Sequence, residues 1–324
     1  MKPRCAVISA CALLAIAWEF PVHAQVSPAV VSPIVLRASA DSPKLPLDGD
    51  FTVRHQVQEA QVRFIATDRS GRPVLGLHPG DVQVYDDQVR VPELKSFTLS
   101  QYAPLEVGVL VDLSDSISSL QHGETMIAAD LLAEIFDTRR DKAFVVGFSN
   151  KVRLLQPETT DINSIRETLV HNPGRQGLTS LFDAIVQSCR SEFAARDSND
   201  RQRIMLLFSD GSDTLSIHGP DEALREATRA GVTIYAITTE DADADGLRNL
   251  KRLAEQTGGS VYVIPKKKGL ETLKVAMSQT VRGEYTISFR PATGTVGFHP
   301  VRIELPTRSD ITLRASTGYY MGTN

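Results

Sequence analysis

The sequence predicts an α/β protein: a doubly wound, mostly parallel sheet flanked by helices, with an accessory β-sandwich formed by the N- and C-terminal segments. Three observations predict this. Continuous apolar runs such as Val107-Gly108-Val109-Leu110-Val111 and Ile204-Met205-Leu206-Leu207-Phe208 alternate with segments of helical period, as expected of strands covered on both faces. Period-two alternation precedes the first run and returns after the last helix, the mark of half-buried antiparallel strands. Each flanking β segment alone offers about three strands, marginal for independent stability, so the two are expected to pack together.

The elements follow in order. Lys2 and Arg4 precede an apolar stretch from Cys5 to Trp18, and Val22-His23-Ala24 makes an A-x-A-like exit before Gln25. Residues 1–24 are therefore expected to be a secretory signal peptide. Glu19 ends the run short of the ~20 apolar residues that span a bilayer, and only six residues separate Arg4 from Cys11, too few for a lipoprotein signal. Nothing later reads as a transmembrane segment. Residues 25–50 carry Pro28, Pro33, Pro43 and Pro46 without periodicity and read as a leader. In the N-terminal β segment, 51–103, Val62, Phe64 and Ala66 alternate with polar positions, a Ser70-Gly71 turn follows, and further runs contain Val82 and Val84 and end near Leu99.

The α/β domain is expected over 104–282. Its strands are the run from Val107, Phe144-Val145-Val146, a short run over 152–155, the run from Ile204, 232–237 and 261–264. Its helices are one with Leu120, Ile127, Leu131 and Ile135 on a single side, then 162–169, 180–192, 222–230, 247–256 and 270–282. The C-terminal β segment, 283–324, has three alternating runs: Tyr285/Ile287/Phe289, Val301/Ile303/Leu305 and Ile311/Leu313/Ala315.

Composition excludes several classes. The 324 residues hold 35 Lys+Arg against 39 Asp+Glu, a net charge of −4, so the basic footprint of a dedicated nucleic-acid binder is missing. Removing Lys2, Arg4 and Glu19 with the signal peptide leaves a net charge of −5. Three cysteines, two of them in the first eleven residues, exclude a disulfide-rich scaffold. The remaining one, Cys189, shares the apolar side of its helix with Leu181 and Ile185 and reads as a small buried hydrophobe.

The first buried strand ends in Asp112-Leu113-Ser114-Asp115-Ser116, Gly177-Leu178-Thr179 opens a helix, and a later strand ends in Ser209-Asp210-Gly211. In open α/β sheets ligands sit outside the carboxyl ends of the strands, where strand order reverses. Asp112 and Asp210 lie at such ends and can converge if their strands are neighbours. Two carboxylates with three hydroxyls, and neither His nor Cys, suit Mg²⁺, Mn²⁺ or Ca²⁺ rather than Zn²⁺. Two negative charges balance one divalent ion, and a free coordination position would accept an incoming carboxylate.

This pattern resembles the metal-ion-dependent adhesion site of von Willebrand factor type A domains, over about residues 105–277. The resemblance implies a Rossmann-like sheet with one antiparallel edge strand, supplied by the 152–155 run. It implies hydroxyl ligands from Ser114, Ser116 and Thr179, the last engaging in one of two states, with Asp112 and Asp210 acting directly or through water. The whole chain also resembles secreted bacterial proteins of acidobacterial type related to these domains. Asp68-Arg69-Ser70-Gly71-Arg72-Pro73-Val74 and Asp81-Val82-Gln83-Val84-Tyr85-Asp86-Asp87 carry that resemblance, as do Gly283-Glu284-Tyr285 and Gly318-Tyr319-Tyr320. Asp115 departs from the Gly of many such proteins. A third carboxylate there would change cation or ligand affinity, or simply face solvent.

Other motifs carry less. Asp241-Ala242-Asp243-Ala244-Asp245-Gly246 matches the opening of a calcium loop, but the twelfth position is Arg252, not the bidentate Glu required. A loop whose acids favour the next helix N-terminus explains it better. Lys266-Lys267-Lys268 reads as a solvated charge run, Asp183 and Asp213 as capping or surface residues. No nucleophile elbow, P-loop or dinucleotide fingerprint occurs. The expectation is thus an exported, non-enzymatic binding module, periplasmic or extracellular, that captures an acidic group of an unidentified protein partner through a divalent cation. The alternatives are a Mg²⁺-dependent hydrolase or phosphotransferase, for which no general base is evident, and an envelope component with a purely structural metal. Partner identity and oligomeric state are not legible.

Overall fold

A computed structural model describes residues 59–114, 121–171, 177–193, 201–264 and 270–322. Residues 1–50, where a signal peptide and leader are expected, and Asp115, Ser116 and Lys266–Lys268 lie outside the described residues.

Two architectures alternate along the chain. Strands β1 (Ala60–Thr67), β2 (Gln83–Asp86), β3 (Val89–Arg90) and β4 (Leu94–Leu99) come first. The α/β part follows as β5 (Leu105–Asp112), α1 (Gln121–Ile135), β6 (Lys142–Phe148), β7 (Val152–Thr159), α2 (Ile162–Val170), α3 (Leu181–Gln187), β8 (Gln202–Phe208), α4 (Pro220–Arg229), β9 (Val232–Thr239), α5 (Ala244–Gln256), β10 (Ser260–Ile264) and α6 (Leu270–Arg282). Strands β11 (Glu284–Phe289), β12 (Gly297–Glu304), β13 (Thr312–Ala315) and β14 (Gly318–Met321) complete the fold.

The central sheet runs β10-β9-β8-β5-β6-β7, with every neighbouring pair parallel except β6–β7. Strand β5 is buried along its whole length, which is why its sequence is a continuous apolar run. Helices α1, α2 and α6 cover one face through residues such as Leu131, Ile165 and Met277. Helices α3, α4 and α5 cover the other through Ile185, Ala227 and Leu250. The antiparallel edge strand β7 is longer than the 152–155 run and contains Pro157, tolerated because an edge strand has a side that needs no N–H donor. The helix expected over 180–192 ends early: α3 passes into a π-helical segment, Ser188–Phe193, and Cys189 on it is buried, with a thiol pushed well above its ordinary value by that burial.

The flanking segments form one sandwich of two four-stranded sheets, β13-β1-β11-β4 and β14-β12-β2-β3. N-terminal β1 pairs with C-terminal β11 and β13, and β2 pairs with β12. Phe64 stacks on Tyr285 with ring centroids 5.1 Å apart, and Val62, Ile287, Phe289, Val84 and Tyr319 share their core. The short strands β3 and β14 were not separable from turns by alternation. Among the described residues no helix is long and apolar enough to cross a membrane.

A charged clamp closes the second sheet. His299 on β12 is buried, its Nδ1 lies 2.7 Å from Asp87 Oδ2, and its Nε2 lies 2.7 Å from the Thr295 carbonyl. Both partners are acceptors, so this geometry favours a ring protonated at both nitrogens. Burial alone would lower its pKa, but the Thr295 hydrogen bond and the Asp87 carboxylate, with Asp86 nearby, raise it above the ordinary 6.5. A raised histidine stabilises the fold fully below the unfolded value, and that stabilisation disappears as pH rises through the folded one. Denaturant titrations should therefore show stability declining above about pH 6.5, and His299→Gln should flatten that decline and lower stability at pH 6 by roughly 1.5–3 kcal/mol. An unchanged slope in the variant would place the pH dependence elsewhere.

Candidate metal centre

The strand order reverses at β5, flanked by β8 on one side and β6 on the other. Pairing of β5 with β8 in register Val111↔Phe208 brings the carboxyl ends of the two strands level. Asp112 closes β5, and Ser209-Asp210 follow β8 directly.

Asp112 is fully buried. Its Oδ1 accepts the Ser114 backbone N–H at 3.0 Å and its Oδ2 accepts the Ser209 hydroxyl at 2.9 Å. Burial pushes this carboxyl up to about 6; hydrogen bonds from Ser114 and Ser209 oppose the rise, and the Asp210 charge adds to it. Asp210 is thus close enough for its charge to act on Asp112. Ser209 Oγ accepts Gly211 N–H at 3.0 Å, and Asp210 Oδ1 accepts Ser212 N–H at 2.9 Å. Ser209 was not singled out as functional by its sequence; its position in the Ser-Asp-Gly turn was the available signal.

Thr179 is buried just before α3. Its N–H donates to Thr214 Oγ1 at 2.9 Å, and its carbonyl accepts from the backbone N–H groups of Thr214 and Leu215 at 3.0 and 2.9 Å. The Thr179 loop is therefore zipped to the loop that carries Asp210. Asp213 Oδ1 accepts Leu181 N–H at 2.8 Å at the start of α3, and Asp183 accepts the backbone N–H groups of Ile217 and His218. Asp213 thus caps α3 from the neighbouring loop, whereas Asp183, within α3, holds the turn that precedes α4. Leu178 N–H donates to Asn150 Oδ1 at 2.9 Å, and Leu113 N–H to the Phe148 carbonyl at 2.7 Å, so the β6–β7 turn supports the same cluster. Ser116, the remaining expected ligand, is outside the described residues.

The Asp241–Gly246 run serves this site from behind. Asp243 caps α5, accepting Gly246 N–H at 2.6 Å. A Cβ on Gly246 would lie 2.3 Å from the Asp210 carbonyl oxygen, and one on Gly211, whose φ is +85°, would lie 2.1 Å from the Gly246 carbonyl oxygen. Asn249 Nδ2 donates to the Gly211 carbonyl at 3.0 Å. The run is a helix start pressed against the Asp210 turn, and its glycine is required by that close approach.

A second group, Asp86, Asp87 and His299, places ligand-type atoms within 4.8 Å of one another. It is the sandwich clamp. Its groups are already engaged: His299 lies between Asp87 and the Thr295 carbonyl, and Asp86 accepts from the Tyr319 hydroxyl and from Ala292 N–H. The strand-end group fits a divalent cation better: a buried carboxylate bonded to Ser114 and Ser209 lies near a second negative charge, whose repulsion a cation would relieve.

Gly246→Ala should displace the Asp210 turn. Calorimetry should show divalent-cation affinity reduced at least about tenfold, with a stability loss on the order of 1–3 kcal/mol. Wild-type affinity in that variant would show that the α5 contact does not position the site.

The family model described as von Willebrand factor type A domain matches residues 106–275. Among solved structures, proximal thread matrix protein 1 from the mussel byssus with a zinc-occupied MIDAS motif is 20% identical, with 55% of this chain and 48% of that one covered at a TM-score of 0.47. This chain thus spans about half the length of that protein. A von Willebrand factor type A protein from Catenulispora acidiphila is 12% identical, with 83% and 74% covered and a TM-score of 0.48. BatB from Bacteroides thetaiotaomicron is 18% identical, with 55% and 99% covered and a TM-score of 0.44. No curated protein matches the chain. With the family model covering more than half of its residues, this chain belongs to the von Willebrand factor type A domain family.

Proposed function

We propose that the protein is an exported, non-enzymatic module that binds a protein partner through a divalent cation held at the ends of β5 and β8. The observation that supports this most is Asp112: a carboxylate with no solvent exposure, held by Ser209 and Ser114 next to Asp210. Burying a charge beside a like charge is costly unless a cation compensates it.

In this reading Asp112 and Asp210 supply the charge, and Ser114 and Thr179 supply neutral oxygens. Ser209 orients Asp112, and the Thr179–Thr214 zipper sets the distance between the two loops. When bound, Mg²⁺, Mn²⁺ or Ca²⁺ supplies a coordination position that an acidic side chain of the partner completes. Leu178, Leu215 and Ile217 are exposed on these same loops, Ile217 almost fully. The partner surface therefore carries apolar side chains around its carboxylate. Export rests on the basic start, apolar stretch and small-residue exit of residues 1–24.

Asp112→Ala and Asp210→Ala are each expected to abolish calorimetric Mg²⁺ and Mn²⁺ binding with the fold intact by circular dichroism. Asp112→Asn should also raise the metal-free melting temperature at neutral pH, because it removes a buried charge to which the described residues offer no cationic partner. Wild-type metal affinity in any of these variants would refute the site. For recognition, capture from an envelope extract should succeed with Mg²⁺ and fail with chelator. Capture should weaken at least about tenfold in Leu215→Ser/Ile217→Ser at unchanged metal affinity. Capture indifferent to the metal would refute cation-mediated binding.

A further inference from the structure

At the opposite end of the central sheet, a cleft of about 530 Å³ lies between the α/β domain and the sandwich. Strand alternation builds one wall. With Val62, Phe64, Ile287 and Phe289 turned into the sandwich core, the intervening residues of β1, β11 and β4 present a polar face. Arg63, Thr286, Ser288, Ser96 and Thr98 line the cleft from that face. The other wall comes from the start of β8, the α4–β9 turn and Tyr319-Tyr320 of β14. A volume of this size is typical of small-molecule sites.

Among the described residues, the charges are arranged with one sign inward: Arg63, Lys95, Arg201, Arg203 and Arg229 all line the cleft, against one lining carboxylate, Glu59. The acids that balance these cations stand outside the lining. Glu106 is 3.1 Å from Arg203, Glu93 is 2.9 Å from Lys95, Glu226 is 3.7 Å from Arg229, and buried Glu284 acts on Arg63. Several guanidinium groups are already fixed in place. Arg63 donates to the Gly231 carbonyl, Arg201 to the Arg140 carbonyl at 2.7 Å, and Arg229 stacks over the Tyr320 ring at 5.3 Å. Arg63 is more than nine-tenths buried, and its Nε is without a hydrogen-bond acceptor among the described residues. Fixed guanidinium donors around a solvent-reaching cleft are the arrangement that recognises oxyanions.

We propose that this seam is a second binding site, separate from the metal centre, for a small oxyanion bearing carboxylate or phosphate groups. Glu59 and the hydroxyls of Ser96, Ser288 and Thr98 provide further polar contacts for the rest of such a molecule. Because the walls come from two different parts of the fold, occupancy would hold the sandwich and the α/β domain together.

The test uses the mature chain in metal-free buffer, with citrate and inorganic phosphate as probes and chloride at matched ionic strength as the control. Saturable calorimetric binding of citrate, of phosphate or of both is expected; the one that binds tighter identifies the group recognised. Asp112→Ala should bind the same probe with unchanged affinity, which separates this site from the metal centre. Arg201→Gln/Arg229→Gln should lose at least tenfold, and Lys95→Gln, on the exposed rim, should lose a smaller factor. Binding of neither probe beyond the chloride effect would overturn the proposal. So would wild-type affinity in the Arg201/Arg229 variant, or loss of binding in Asp112→Ala.

Discussion

The parallel pairing of β5 with β8 is the constraint on which the rest depends. It lies where the strand order reverses, so the loops leaving the two strands diverge to opposite faces and open a crevice between them. Register then decides what meets there. With Val111 opposite Phe208, Asp112 comes level with Ser209, and the 2.9 Å hydrogen bond between their side chains joins the strand ends. A slip in this register would separate Asp112 from both Ser209 and Asp210. The long apolar runs of β5 and β8, packed on helices from both faces, hold that register.

Around this pair the loops form an interlocked set. Thr179 is bonded to Thr214 and Leu215, Asp213 to the start of α3, Asp183 to Ile217 and His218, and Gly246 presses on the Asp210 turn. Each contact is of ordinary strength, about 1 kcal/mol net for a neutral hydrogen bond. Their combined effect is to hold the loops at the ends of β5 and β8 together, and a cation bound between preordered loops would cost less ordering. The sandwich solves a different problem. It joins the two flanking β segments through β1–β11 pairing, so neither four-stranded segment is left with an unpartnered apolar face.

Much of this was legible in the sequence, for physical reasons that differ by element. Asp112 and Asp210 could be read because each ends a run apolar enough to be covered on both faces, and polar residues at such ends have few structural uses. The sandwich could be read because alternation fixes which residues face inward. Gly246 could not. Its neighbours imitate a calcium loop, whereas its role comes from contact with a turn far away in sequence. Asp183 and Asp213 read as capping or surface residues for the same reason; hydrogen bonds between α3 and a loop distant in sequence leave no local pattern. His299 carried no motif, since its partners Asp87 and Thr295 lie on separate turns. Strand β7 extended past its apolar run because backbone pairing with β6 does not require apolar side chains.

The most direct test of the central claim is crystallographic. Crystals grown with Mn²⁺ and measured at the manganese absorption edge should show an anomalous peak within coordination distance of the Ser114 hydroxyl, between the carboxylates of Asp112 and Asp210. No ion should lie at Asp86, Asp87 and His299. A peak at that sandwich cluster with none at the ends of β5 and β8, or no ordered manganese at all, would contradict the account.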